Sequence, residues 1–243
     1  VRAVGVIPAR YAASRFPGKP LAPIAGRALV QRVWDGVRTA QRLDQILIAT
    51  DDERIAEACR SFGAEVVMTA ATHPTGTDRI AEAAAGLDAD VVVNIQGDEP
   101  LIDGPVIDAV VTALEDDAGA AMATLAHPAE PDGVDDPNRV KLVLDRSGRA
   151  LYFSRSRIPY PRHPGARVLQ HVGIYAYRRE FLLEFVRLPQ TELECSEQLE
   201  QLRALEHGHA IRVAVLEGWR SIPVDVPADV ALVEAALREA GRC

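Results

Sequence analysis

Cysteine is scarce in this chain: Cys59, Cys195 and Cys243 are the only three in 243 residues, odd in number and far apart. That usage excludes a disulfide framework and a Cys-based zinc site, and suits a reducing compartment. Long apolar runs are missing too. None approaches the ~20 residues of a membrane span. Residues 4–7 are too short for the h-region of a signal peptide, so a cytoplasmic protein without membrane attachment is expected. Basic surplus is absent: the formal charge is −8 at pH 7. General nucleic-acid binding needs a broad basic face, so it is not expected. The chain has neither the Gly-x-Gly-x-x-Gly dinucleotide fingerprint nor a Walker loop, and neither internal repeats nor low-complexity segments.

What it has is an apolar strand over 4–7 that runs into a loop punctuated by Pro and Gly. That loop carries three cations, Arg10, Arg15 and Lys19. A buried strand that delivers cations and free N–H groups to its C-terminal end is how an α/β protein holds a polyphosphate. Arg offers a planar fork to two oxygens, and Lys a point charge. Singly, each also reads as a solvated loop charge. In an otherwise acidic chain the cluster is a local feature.

The first half alternates apolar runs with helical patterns. Strands are predicted over 4–7, 46–49, 66–68 and 91–95. They are apolar on consecutive residues, as when both sheet faces are covered. Leu29, Val30, Val33 and Val37 keep helical spacing. So do Ile55, Ala56, Cys59 and Phe62, after a Thr50-Asp51-Asp52-Glu53 capping box. The Ala tract 81–85 belongs to a third helix. Such alternation predicts an α/β, Rossmann-like fold with a mostly parallel central sheet and helices on both faces. After residue 120 the rhythm changes. Strands are predicted over 122–125, 140–144, 150–153, 172–177 and 211–215, with an exposed turn-rich excursion at 159–164. Helices are predicted over 197–207 and 227–239. One domain, 1–243, with a β-rich second-half excursion is the expectation. Strands around 145–190 would leave edges and apolar side chains exposed, and a C2 pairing of identical patches covers these. A homodimer is therefore expected.

Three further segments carry chemistry. Thr75-Gly76-Thr77-Asp78-Arg79 reads as a turn plus N-cap, or equally as a second backbone cradle with Gly76 admitting a ligand and Arg79 turned toward it. Asp98, in Gln96-Gly97-Asp98-Glu99-Pro100, ends the most apolar strand, where a carboxylate can meet Mg²⁺ and substrate phosphates. It also reads as a turn residue ahead of Pro100. Asp225 alone reads as a helix cap. A metal role for it requires the fold to set it beside Asp98. His171 reads first as structural, and Glu200 as part of a solvated helix face.

Across residues 4–230 the chain resembles the 3-deoxy-manno-octulosonate cytidylyltransferase (CMP-Kdo synthetase) family. The resemblance rests on Ile7-Pro8-Ala9-Arg10 and Ser14-Arg15-Phe16-Pro17-Gly18-Lys19-Pro20-Leu21, on Gly76-Thr77-Asp78-Arg79, and on Asn94-Ile95-Gln96-Gly97-Asp98-Glu99-Pro100. More specific to that family are Tyr152-Phe153-Ser154-Arg155, His171-Val172-Gly173-Ile174-Tyr175 and Leu199-Glu200-Gln201-Leu202-Arg203. The resemblance implies a Rossmann-like nucleotidyltransferase fold, a dimer and a reaction: CTP plus Kdo gives CMP-Kdo and pyrophosphate with Mg²⁺, for lipopolysaccharide precursor synthesis. It implies that Pro8, Ala9 and Arg10 line the CTP site, with Arg15 and Lys19 on the phosphates and Gly76 and Arg79 closing over the nucleotide. Asp98 and Asp225 would hold the metal, and with Arg10 and Lys19 form the catalytic set. Gln96, Arg155, His171, Tyr175, Glu200 and Gln201 would face the acid sugar. Rival readings are a cytidylyltransferase for 8-amino-Kdo or a sialic acid, and a non-catalytic nucleotide-binding module. The chain departs from the family pattern at Val226, where Thr is expected as an N-cap for the last helix.

Overall fold

The computed structural model describes residues 1–12, 16–163, 165–219, 222–239 and 241. Arg15 lies outside the described residues. The chain packs as two compact units, one made of residues 1–108 with 221–243 and the other of residues 109–220.

The first unit opens with β1 (Ala3–Ala9), a 3₁₀ turn at Lys19–Leu21, and the short strands β2 (Pro23–Ile24) and β3 (Arg27–Ala28). It continues through α1 (Leu29–Val37), β4 (Gln45–Thr50), α2 (Glu53–Ser61), β5 (Glu65–Met68), α3 (Gly76–Ala85) and β6 (Val91–Asn94). Its strands lie in the order β6-β1-β4-β5, each pair parallel. Val4, Val6, Ile7, Leu47, Ile48, Val92 and Val93 are all buried, although neighbours point to opposite faces. That is the consecutive apolar pattern of a covered sheet. Register brings the strand ends together: Ala9 lies opposite Thr50 and Val6 opposite Asn94. The chain after β6 therefore runs past Pro8.

The box expected from Thr50 to Glu53 does not form. Thr50 is still paired in β4, opposite Met68, so it comes two residues too early to cap. Asp52 is the N-cap of α2, accepting from the Arg54 N–H at 3.0 Å. The C-terminal helix, Asp229–Glu239, buries Val233 and Leu237 with Ile24, Leu29 and Val224. Its start lacks the Thr cap; instead Asp229 accepts from the N–H groups of Asp225 and Val226 at 2.8 and 2.9 Å.

Helix α4 (Gly104–Glu115) spans the division between the units. The second unit then contains β7 (Ala120–Pro128), β8 (Lys141–Leu144), β9 (Ala150–Ser154), β10 (Leu169–Arg178), α5 (Arg179–Phe185), α6 (Glu192–Glu197), α7 (Gln201–Glu206) and β11 (Ala210–Val215). β7 pairs antiparallel with β10 and parallel with β11, while β8 pairs antiparallel with both β10 and β9. The single helix expected over 197–207 is two helices. α6 starts earlier, at a Thr191/Glu194 capping box, and ends where Gln198 turns left-handed at φ 53°. The carbonyls of Glu197 and Gln198 are taken by the Arg155 guanidinium at 2.6 and 3.2 Å, so they do not continue a helix. Neither α4 nor α5 stands out in the sequence pattern. No helix among the described residues is long and apolar enough to cross a membrane.

Candidate active site

In the first unit, three segments meet at the end of β1. A Cβ on Gly97 would fall 2.9 Å from the Pro8 carbonyl oxygen, so only glycine allows this approach. Gly76 sits against the other side of Pro8, where a Cβ would meet its ring at 3.8 Å. The N-terminus of α3, with the positive end of its dipole, is thereby set at the strand end. Arg10 secures this arrangement: its Nη2 donates to the carbonyls of His73 and Thr75 at 2.7 and 2.6 Å. The Thr75/Asp78 capping box then starts the helix. Ala9 is buried and Gln96 half-buried on the adjoining segment.

Arg79, which the resemblance implies closes over the nucleotide, has its guanidinium engaged within the protein. Its side chain has no exposed area; it donates to Thr69 Oγ1 and pairs with Asp51 at 3.1 Å. Burial lowers its pKa, opposed by Asp51. In this structure it ties α3 to the end of β4. The Asp51–Arg79 pairing bridges 28 positions, and nothing in the local pattern signals it.

Lys19, which the resemblance implies contacts the phosphates, faces two carboxylates in this structure. It is not a free loop charge; its side chain is only 18% exposed. Nζ lies 2.8 Å from Asp98 Oδ2 and 3.9 Å from Asp225 Oδ1, and donates to the Val224 carbonyl at 3.0 Å. The Val224 N–H in turn donates to the Asp98 carbonyl at 2.9 Å. The fold thus sets Asp225 beside Asp98, across 127 positions of sequence. Two carboxylates with a nearby main-chain carbonyl form a hard oxygen donor set, which suits Mg²⁺ completed by phosphate oxygens. Among the described residues no cluster of three or more His, Cys, Asp or Glu side chains exists that could cage a metal alone.

In the second unit, His171 and Tyr175 flank an irregularity in β10, where the register against β7 shifts between Val172 and Tyr175. Thr124 Oγ1 lies 3.1 and 2.8 Å from the carbonyl oxygens of Val172 and Ile174 and 3.0 Å from His171 Nε2. With its proton given to a carbonyl, the hydroxyl accepts from an Nε2–H, which leaves His171 Nδ1 as an acceptor. Burial pushes the His171 pKa down to about 3, so the ring is neutral near pH 7. It packs edge-on to Phe153 at 5.1 Å and beside Tyr175 at 5.4 Å. Burial, with Glu200 nearby, raises the Tyr175 phenol. Glu200 precedes α7 and lies 3.7 Å from Arg203; Gln201 is buried, and its Nε2 has no hydrogen-bond partner. Arg155 spends its guanidinium on the carbonyls of Pro137, Glu197 and Gln198. Glu197 is a member that sequence reasoning missed. It accepts from Ser154 Oγ and the Arg155 N–H at 2.6 and 2.9 Å, yet its helical neighbours made it look solvated. Within this unit the structure gathers His171, Tyr175 and Glu200, and uses Arg155 to seat the turn that precedes Glu200.

Comparison with known proteins agrees with this architecture. Residues 4–211 match a family model described as cytidylyltransferase. The 3-deoxy-manno-octulosonate cytidylyltransferase of Syntrophotalea carbinolica is 51% identical over 96% of this chain and 97% of its own. The 8-amino-3,8-dideoxy-manno-octulosonate cytidylyltransferase of Shewanella woodyi is 50% identical over 96% and 97%. The solved structure of CMP:2-keto-3-deoxy-manno-octonic acid synthetase complexed with CTP superposes with a TM-score of 0.94 at 40% identity, covering 99% of this chain and all of that one. A match over residues 4–211 and near full-length identity of about half place the chain in the 3-deoxy-manno-octulosonate cytidylyltransferase (CMP-Kdo synthetase) family.

Proposed function

We propose that this chain transfers the cytidylyl group of CTP to 3-deoxy-manno-octulosonate, releasing pyrophosphate. Full-length similarity to enzymes of that name carries the reading. The first unit supports it with a site for nucleotide and cation, built from Pro8, Ala9, Arg10, Lys19, Gly76, Asp98 and Asp225. The sugar hydroxyl attacks the α-phosphorus, forming the new O–P bond while the bond to the β-phosphate oxygen breaks. No protein nucleophile is required; positioning and charge stabilisation do the work. Asp98 and Asp225 would hold Mg²⁺, which when bound neutralises phosphate charge and lowers the hydroxyl pKa. Arg10 acts by holding the 73–75 loop, and so the N-terminus of α3, against Pro8. Arg79 acts from beneath, through Asp51. His171 is neutral and serves as a hydrogen-bond partner, not as a counter-charge for the sugar acid.

The test is pyrophosphate release with four nucleotides and a panel of acid sugars. CTP with Kdo is expected to turn over fastest, and UTP poorly. Equal rates with ATP or GTP overturn the nucleotide assignment. Faster turnover of the 8-amino sugar moves the chain to the second kind of relative.

The same proposal includes a homodimer through the 145–190 segment and a cytoplasmic site of action. Leu151 and Tyr160 support the first, being 61% and 81% exposed on the second unit; the scarcity of cysteine supports the second. Light scattering at micromolar concentration is expected to read two chains. A fully active monomer sinks the dimer.

A further inference from the structure

We infer that Lys19 is a resident cation: without nucleotide, its ammonium occupies the place between Asp98 and Asp225 and keeps a divalent ion out. The inference rests on the metal role proposed above for those two carboxylates. Nζ pairs with one carboxylate at 2.8 Å, with the other at 3.9 Å, and is fixed by the Val224 carbonyl at 3.0 Å. One ammonium thus lies within 4 Å of both carboxylates. A divalent ion on the same oxygens must displace that ammonium or share the carboxylates with it, at a coulombic cost.

The backbone beneath Lys19 is a hydrogen-bonded turn. Gly18 takes the left-handed conformation at φ 72° and donates to the Tyr11 carbonyl at 2.9 Å. The turn is closed by the Lys19, Leu21 and Ala22 N–H groups, donating to Phe16, Gly18 and Lys19 carbonyls. Motion is left to the four-carbon stem, which can swing a compact charge between acceptors without unfolding the turn. A triphosphate arriving at the end of β1 offers the ammonium a stronger partner. As Lys19 turns to it, the carboxylates exchange the ammonium for an ion that the phosphates also ligate. The consequence is an order of events in which nucleotide admits metal.

The probe is Mn²⁺, followed by electron paramagnetic resonance of the free ion, with no turnover involved. In the wild type, Mn²⁺ binding without CTP should be weak, and CTP should strengthen it. Lys19→Met keeps the stem and removes the charge; it should bind Mn²⁺ without CTP at least ten-fold more tightly than the wild type. Lys19→Arg keeps the charge and should behave as the wild type does. A thermal melt gives a second readout: the Lys19→Met melting temperature should rise with Mn²⁺ alone, and the wild type's should not. Equal nucleotide-free Mn²⁺ affinity in the wild type and Lys19→Met overturns the resident-cation role. Adding Asp98→Asn to Lys19→Met should abolish the gained binding; retention of the ion overturns the metal assignment itself. The two failures are therefore distinct.

Discussion

Asp98→Asn should lower turnover by ~100-fold or more while the chain stays folded, because metal stabilisation of phosphoryl charge supplies several kcal/mol and each factor of ten is about 1.4 kcal/mol. Asn keeps the size of the side chain but loses the charge that a hard cation requires. The fold should tolerate the change. Asp98 is partly exposed, and its main-chain carbonyl, which receives the Val224 N–H at 2.9 Å, is untouched. Lys19 retains Val224 O and Asp225 as partners. Steady-state rates across a Mg²⁺ titration, with circular dichroism as the control for folding, decide the matter. Near wild-type Mg²⁺-dependent turnover would falsify the role of Asp98.

The largest stability loss is expected from Arg203→Leu. Arg203 and Glu194 form a two-pronged ion pair whose side chains are 8% and 6% exposed, with Nε donating to Oε2 at 2.8 Å. The guanidinium also lies over the Phe185 ring at 4.9 Å. Removing one partner of a buried pair leaves an uncompensated charge, at a cost of ~3–5 kcal/mol. Glu194→Gln in the Arg203→Leu background should recover much of that loss. It neutralises the stranded charge and keeps an oxygen for the Thr191 N–H, the reciprocal half of the α6 capping box. Denaturant unfolding of wild type, single and double variants measures the difference. A single variant within about 1 kcal/mol of wild type, the usual worth of an exposed pair, would refute the buried-charge account. Turnover should fall along with stability, since Glu197 ends α6, Gln201 starts α7 and Glu200 lies in the turn between them.

Legibility in the sequence follows the range of the forces involved. Strands such as 91–95 are readable because a covered parallel sheet demands consecutive apolar residues. The placement of Thr75 ahead of α3, with Gly76 at its first position, is readable because capping chemistry is local. The α2 cap lies two residues beyond the Thr50 that the local pattern favours, because Thr50 is held by its pairing with Met68. The break at Gln198 was invisible for the same reason: the carbonyls that would continue the helix are taken by Arg155, more than forty residues away.

In the sequence the α/β alternation is legible because apolar periodicity is written in neighbouring residues, while the reaction and the pairing of Asp98 with Asp225 at a metal are what the resemblance of short motifs to a known family implies. The tertiary structure alone decided that Asp225 stands beside Asp98, that Lys19 lies between them, and that Arg79 is buried against Asp51. Each of those depends on contacts between segments far apart in sequence, such as the Val224 N–H donated to the Asp98 carbonyl at 2.9 Å. A charge acquires its role from what it meets there, and no local pattern records that meeting.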